Sequence, residues 1–216
     1  MPFDSVTGFL LAAAAACALH LRAAYRGPAW QVYLCKPLTT LLLLGAAAAA
    51  PSAHGPAYRL WILAGLVFSL GGDVFLMLPR DRFIAGLSSF LAAHLAYIAA
   101  FSAGGPFHSD PQLLLPLGVV AGTLLWVLWP GLGPLRAPVV LYTLTIVAMV
   151  WRAWARGRAM HTPGSALAVG GAALFLVSDS LLALDRFRHR FAPARAAVQA
   201  SYVVAQALIA ISVGVG

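Results

Sequence analysis

The sequence predicts an all-α, polytopic membrane helix bundle of about eight transmembrane helices, and three observations predict it. Of 216 residues, 62% are apolar and only 9% charged, against about 45 to 50% and about 25% in a soluble domain. The apolar residues gather into eight runs, most of them close to the roughly 20 residues needed to cross a hydrocarbon core. All six tryptophans, Trp30, Trp61, Trp126, Trp129, Trp151 and Trp154, fall near the ends of those runs, where indoles prefer the headgroup interface. Short connections leave no room for a large extramembrane domain. A single transmembrane domain is therefore expected over 1–216, with halves of about 1–103 and 112–216.

The first run, 5–21, follows Asp4 and precedes Arg22 and Arg26. That is the reverse of a signal peptide, so it is read as a retained span. Runs 32–50, 60–78 and 84–101 follow, separated by Pro- and Gly-containing turn segments such as 51–56 and 79–82. After a further turn segment at 104–111 come 113–129, 138–151, 166–184 and 194–213, of which the sixth is the shortest.

The net charge of +8 would suggest nucleic acid in a soluble protein. Here the arginines cluster between apolar runs, where they set topology and meet anionic headgroups, so the partner is the lipid bilayer and not nucleic acid. The odd-numbered loops carry Arg22, Arg26, Arg80, Arg82, Arg136, Arg186, Arg188, Arg190 and Arg195; the even-numbered loops carry Arg59, Arg152, Arg156 and Arg158. This places the odd loops in the cytoplasm and both termini outside. The Ala and Arg bias, with Lys36 the one lysine, points to a GC-rich bacterium and hence to an inner membrane. Cys17 and Cys35 lack metal-ligand spacing and are expected to be reduced.

Two segments resemble each other. Gly65 to Leu78 contains Asp73, Gly171 to Leu184 contains Asp179, and in both a Gly lies eight residues before the Asp and Leu recurs three and five residues after it. The segments are the third and seventh spans, which cross in the same direction. A parallel 4+4 repeat follows, with a site at the repeat interface. The alternative is that Ala-, Gly- and Leu-rich helices look alike by composition.

The chain contains no Glu and only six Asp, so carboxylate chemistry rests on Asp. An intramembrane Asp costs about 2.5 to 3.5 kcal/mol at a span centre and needs compensation or a function. Asp73 and Asp179 each lie six residues before the expected cytoplasmic end of their span, at Pro79 and Asp185, and so share a depth. Lys36 enters from the same side, as do Gln199 and Tyr202, with His94 and Tyr97 deeper. His94 and Tyr97 are three residues apart, and Gln199, Tyr202 and Gln206 are three and four apart, so each set occupies one helix face. Together they suit one cavity open toward the cytoplasmic leaflet. Structural roles compete with this: an Asp that pairs with Lys36 or accepts bonds from Tyr and Gln also ties helices together.

Lys36-Pro-Leu-Thr39, Gly65 through Asp73 with Phe75-Leu76, Phe90 with His94-Leu-Ala-Tyr97, Ser178-Asp179 with Leu182, and Tyr202 with Ala205-Gln206 resemble the YhhN-like integral-membrane proteins, whose eukaryotic members are lysoplasmalogenases. The resemblance implies hydrolysis of the vinyl ether of a lysophospholipid to a fatty aldehyde and a glycerophospho-headgroup, with no cofactor. That reaction begins with proton transfer to carbon and passes through an oxocarbenium-like cation. It requires an acid and a carboxylate, as glycosidases do. Asp73 and Asp179 are the expected pair, and Lys36 beside one of them would keep that one ionised. Lys36, His94, Tyr97, Gln199, Tyr202 and Gln206 are expected to line the substrate site, and Lys36 with Arg80 and Arg82 to hold the phosphate.

No Gly-x-Ser-x-Gly elbow is present. A zinc site could recruit His20, His94 and Asp73, but no span carries two His one turn apart, and no metal is expected. The alternative of a different class is a proton-coupled secondary transporter, favoured by the repeat and the intramembrane Asp.

Overall fold

The computed structural model describes residues 2–103, 111–191 and 193–216. Among them are eight α-helices and no strand: α1 (Pro2–Arg26), α2 (Ala29–Ala49), α3 (Pro56–Met77), α4 (Phe83–Ser102), α5 (Leu114–Leu132), α6 (Arg136–Met160), α7 (Pro163–Phe187) and α8 (Ala194–Ile211). Most of the turn segment expected at 104–111 lies outside the described residues.

Helices α1 to α4, α7 and α8 each have the length and hydropathy to cross a membrane, and so does the helical run Pro111–Met160 of 50 residues. As one rod that run would be about 75 Å long, more than twice a hydrocarbon core. It is divided instead at Gly133, whose φ of +49° opens a single 3₁₀ turn over Gly133–Leu135. From there α6 packs back against α5.

The sixth span is the clearest departure from expectation. Expected to be the shortest, α6 runs for 25 residues, well past Trp151. Its charged end stays helical because the guanidinium groups find partners inside the bundle: Arg152 Nε donates to Ser102 Oγ at 3.0 Å, and Arg156 Nη1 to the Ala103 carbonyl at 2.6 Å. Arg156 also lies 4.5 Å over the Tyr58 ring. Both arginines are buried.

Helix ends follow local chemistry. Leu78 precedes Pro79 and adopts ψ 144°, as a residue before proline must, so α3 stops four residues after Asp73. Helix α7 begins with a reciprocal cap between Thr162 and Ser165 and continues eight residues beyond Asp179. The two Asp thus match in distance from the sequence landmarks, not from the helix ends.

The odd connections share one end of the bundle: Arg186 pairs with Asp81, and the backbone N–H of Ala196 donates to Tyr25 Oη at 3.2 Å. The even connections and the C-terminus share the other, where the Ala53 N–H donates to the Val213 carbonyl at 3.0 Å.

Helices α3 and α4 pack closely, as do α7 and α8, and the same device permits both approaches. A Cβ on Gly65 would stand 2.2 Å from Tyr97 Cε1 of α4, and one on Gly171 would stand 2.8 Å from the Ala205 carbonyl oxygen of α8. Small residues let backbones and rings approach where hydrophobic burial offers little driving force. Helix α5 is peripheral, with Leu115 and Trp126 among the most exposed side chains. Gly65→Ala and Gly171→Ala should each cost about 1 to 3 kcal/mol through overpacking, read as a lower thermal midpoint in detergent. Gly118→Ala, with nothing within 4 Å of the new methyl, should leave the midpoint unchanged. Equal midpoints for all three would contradict this packing.

Candidate active site

Asp73 sits in the interior of α3, 1% exposed. Its carboxylate faces three donors: Lys36 Nζ lies 3.5 Å from Oδ1, Thr40 Oγ1 donates to Oδ2 at 2.6 Å, and Tyr202 Oη donates to Oδ2 at 2.8 Å. Lys36 and Thr40 are one turn apart on α2 and Tyr202 is on α8. From Tyr202 the network continues, with Gln206 Nε2 donating to Tyr202 Oη at 3.3 Å and Tyr97 Oη donating to Gln206 Oε1 at 2.6 Å. Four helices, α2, α3, α4 and α8, therefore meet on one hydrogen-bonded chain.

Asp179 on α7 has different company. Tyr142 of α6 donates to its Oδ2, and His94 Nε2 of α4 stands 3.7 Å from the same oxygen, beyond hydrogen-bond reach. Oδ1 has no hydrogen-bond partner among the described residues. Both ring nitrogens of His94 are buried without a partner. The ring packs edge-on to Tyr142 at 5.0 Å and to Phe175 at 4.8 Å. Phe175 also meets Tyr202 at 5.5 Å, so one aromatic ring stands between the surroundings of the two carboxyls. Neither a hydrogen bond nor an ion pair joins the two carboxyls directly among the described residues. His94 lies by Asp179 and not by Asp73, so the His20, His94 and Asp73 trio that the sequence offered to zinc is not assembled.

Each Asp takes a hydroxyl from a helix of its own half, Thr40 of α2 or Tyr142 of α6, and a neighbour from the other half, Tyr202 of α8 or His94 of α4. Lys36 precedes Asp73 by 37 residues, and Tyr142 precedes Asp179 by 37. In the same frame Thr39 and Thr145 correspond, and each donates to the carbonyl four residues earlier, at 2.8 Å and 2.9 Å. Tyr142 is not among the residues that depth and helical spacing mark for the site. The common spacing from the two Asp was the signal that would have marked it.

In place of the one cavity expected, two adjoining cavities border these surroundings, and Asp73, His94, Tyr97, Gln199, Tyr202 and Gln206 line neither. At the odd-loop end lies a polar vestibule of ≈ 800 Å³, whose walls include Lys36, Arg82, Arg186, Arg190 and Arg195. Beside it, between α4, α5, α6 and α7, runs a narrow apolar cleft that Asp179 and Tyr142 line. Leu76, Phe83 and Leu182 border both. Lys36 thus joins the vestibule to Asp73, while Asp179 opens on the cleft. Of the two rim arginines expected, Arg82 lines the vestibule and Arg80 does not. Arg186, Arg190 and Arg195 enter because the seventh connection folds over the third. The Arg186 guanidinium and the Phe83 N–H hold the exposed Asp81 carboxyl below its ordinary pKa. Gln199 is buried, its Nε2 without a partner, and it bonds neither Asp.

Removing one member of a buried ion pair strands the other, at about 3 to 5 kcal/mol. Lys36→Met should therefore lower the thermal midpoint in detergent more than Lys36→Met combined with Asp73→Asn does. The double-mutant cycle should give about 0.5 to 3 kcal/mol of coupling; strict additivity would show that Lys36 and Asp73 do not sustain each other.

The family model of the YhhN family matches residues 31–213, a stretch that contains every residue of both carboxyl surroundings. The chain is 34% identical over 191 residues to the uncharacterized membrane protein YhhN of Escherichia coli O157:H7, covering 88% of this chain and 91% of that one. It is 35% identical over 184 residues to human lysoplasmalogenase TMEM86B, covering 85% and 75%. Against bovine lysoplasmalogenase TMEM86A it is 34% identical over 205 residues, covering 86% and 79%. No solved structure matches. With a family model over most of its length and relatives this similar across three quarters or more of theirs, the chain is a membrane protein of the YhhN family.

Proposed function

We propose that this protein is an intramembrane lysoplasmalogenase, cleaving the vinyl ether of lysoplasmalogens to a fatty aldehyde and a glycerophospho-headgroup. The observation that carries the reading is the position of Asp179, a carboxyl opening on an apolar cleft that adjoins a basic vestibule. Such a layout matches a lipid with an anionic head and one hydrocarbon chain. Relatives named lysoplasmalogenase support the same reaction. In this reading the vestibule faces the cytoplasm of a bacterial inner membrane, as the arginine distribution favours.

The two carboxyls divide the labour. Every contact of Asp73 is a donor, one of them an ammonium, which suits the ionised form. Asp179 receives a hydroxyl on Oδ2, and its Oδ1 carries the catalytic proton. Asp179 gives that proton to the second chain carbon of the vinyl ether, leaving an oxocarbenium between the first carbon and the ether oxygen. Water adds to the first carbon and returns a proton to Asp179, the alternation of acid and base seen in glycosidases. The hemiacetal then breaks its bond to the glycerol oxygen, which takes up a proton as the carbonyl forms. Asp73 stays ionised, a standing negative charge that favours the oxocarbenium, and it holds Lys36 at the floor of the vestibule, where the ammonium meets phosphate with Arg82 and Arg186. His94, Tyr97, Gln206 and Tyr202 keep the two surroundings in register. A transporter of this repeat type would use broken helices at corresponding positions; α3 and α7 run unbroken past their Asp.

Purified protein in detergent, given lysophospholipids with vinyl ether, alkyl ether or ester chains, should release aldehyde from the vinyl ether alone. Asp179→Asn and Asp73→Asn should each lower kcat about 100- to 10,000-fold in well-folded protein, and kcat should follow a bell-shaped pH profile that belongs to the pair. Arg82→Ala with Arg186→Ala should raise KM more than it lowers kcat. Absence of aldehyde, or near-full activity in either Asn variant, would overturn the proposal.

A further inference from the structure

A third cavity lies beyond the cleft, toward the end of the bundle that holds the even connections. It is a groove of ≈ 500 Å³ between α5, α6 and α7, and Leu117, Val120, Val150, Trp154, Val169 and Ala173 are among its walls. Leu176 and Ser180 border both this groove and the cleft at Asp179. Vestibule, cleft and groove thus adjoin in that order from the end with the odd connections toward the end with the even ones, polar at the first and almost wholly apolar at the last.

From this continuity, and resting on the function proposed above, we infer that the groove is the binding site for the distal half of the substrate's hydrocarbon chain and sets its length preference. The direction agrees with a lipid resting in a leaflet: head at the odd-loop end, reacting bond at Asp179, tail toward the bilayer midplane and beyond. The length agrees as well. Tyr142, whose hydroxyl marks the reacting carboxyl, and Trp154 are separated by twelve residues of α6, or about 18 Å at 1.5 Å per residue. An extended chain of single bonds advances about 1.25 Å per bond, so that span takes about 14 bonds, close to what remains of a 16-carbon chain past its vinyl ether. A volume near 500 Å³ is within the ordinary range for ligand sites.

The groove also explains how the chain reaches the site without leaving hydrocarbon. Val120 and Val177 on its walls are 45% and 48% exposed on the lipid-facing surface, and α5, its outer wall, is the peripheral helix. The tail slides in sideways beneath α5 while the head remains at the interface.

Two substitutions that fill the groove from opposite walls, Ala173→Phe on α7 and Val120→Phe on α5, test this with vinyl ether lysolipids of 16 and 8 carbons. The ratio of kcat/KM for the long chain over the short should fall at least about ten-fold in each variant. A ratio unchanged in both would overturn the inference. Independently of turnover, a 16-carbon alkyl ether lysophospholipid with a diazirine at its terminal carbon should photolabel α5, α6 and α7 at 114–120, 150–154 and 169–173. Labels confined to α1, α2 or α3 would also overturn it. If the wild-type protein released no aldehyde from any lipid, the proposed reaction would fall while the labelling pattern still decided where the chain lies.

Discussion

A carboxylate withdrawn from water is the constraint on which the rest of this bundle depends. Asp73 is almost wholly buried, and in hydrocarbon its charge is tolerable only where donors are already in place. Those donors come from other helices: Lys36 and Thr40 bring α2, Tyr202 brings α8, and through Gln206 the chain reaches Tyr97 of α4. Sliding any of these helices by a turn would leave a polar group unpaired in a low dielectric. Glycines at 65 and 171 then permit the contact distances this requires.

Within one frame the two halves differ at the position 37 residues before each Asp. Lysine there gives Asp73 a cation; tyrosine gives Asp179 a hydroxyl. Together with a second difference in the same spacing, Thr40 against Ile146, which has no hydroxyl to donate, it separates a carboxylate held among donors from a carboxyl that keeps one oxygen without a protein partner at the edge of an apolar cleft. In the proposed reaction the first is the standing charge and the second the proton donor. Packing links the two surroundings, since Phe175 touches both Tyr202, which bonds Asp73, and His94, which stands by Asp179.

Much of this was legible in the chain. Hydropathy and tryptophan placement located the helices, and common depth with helical spacing grouped Lys36, Asp73, Tyr97, Tyr202 and Gln206, because those signals depend only on position along a regular helix. Features that depend on how helices rotate and loops fold were not legible. Arg80 and Arg82 are neighbours in sequence, yet only Arg82 turns into the vestibule; Arg186, Arg190 and Arg195 arrive there from a connection more than 100 residues away. Depth alone grouped Gln199 with Tyr202, although it bonds neither Asp. Charges at Arg152 and Arg156 argued for an early end to the sixth span, and partners across the bundle reversed that.

The central claim is that the carboxyl at the cleft delivers a proton to carbon. Hydrolysis of a lysoplasmalogen by the purified protein in D₂O, and separately in ¹⁸O-labelled water, with mass analysis of both products, tests it most directly. Protonation at carbon places one deuterium on the second carbon of the aldehyde and leaves the glycerol oxygen unlabelled by ¹⁸O. An aldehyde without that deuterium, or ¹⁸O in the glycerophospho product, would mean that a different bond breaks and would contradict the chemistry assigned to Asp179.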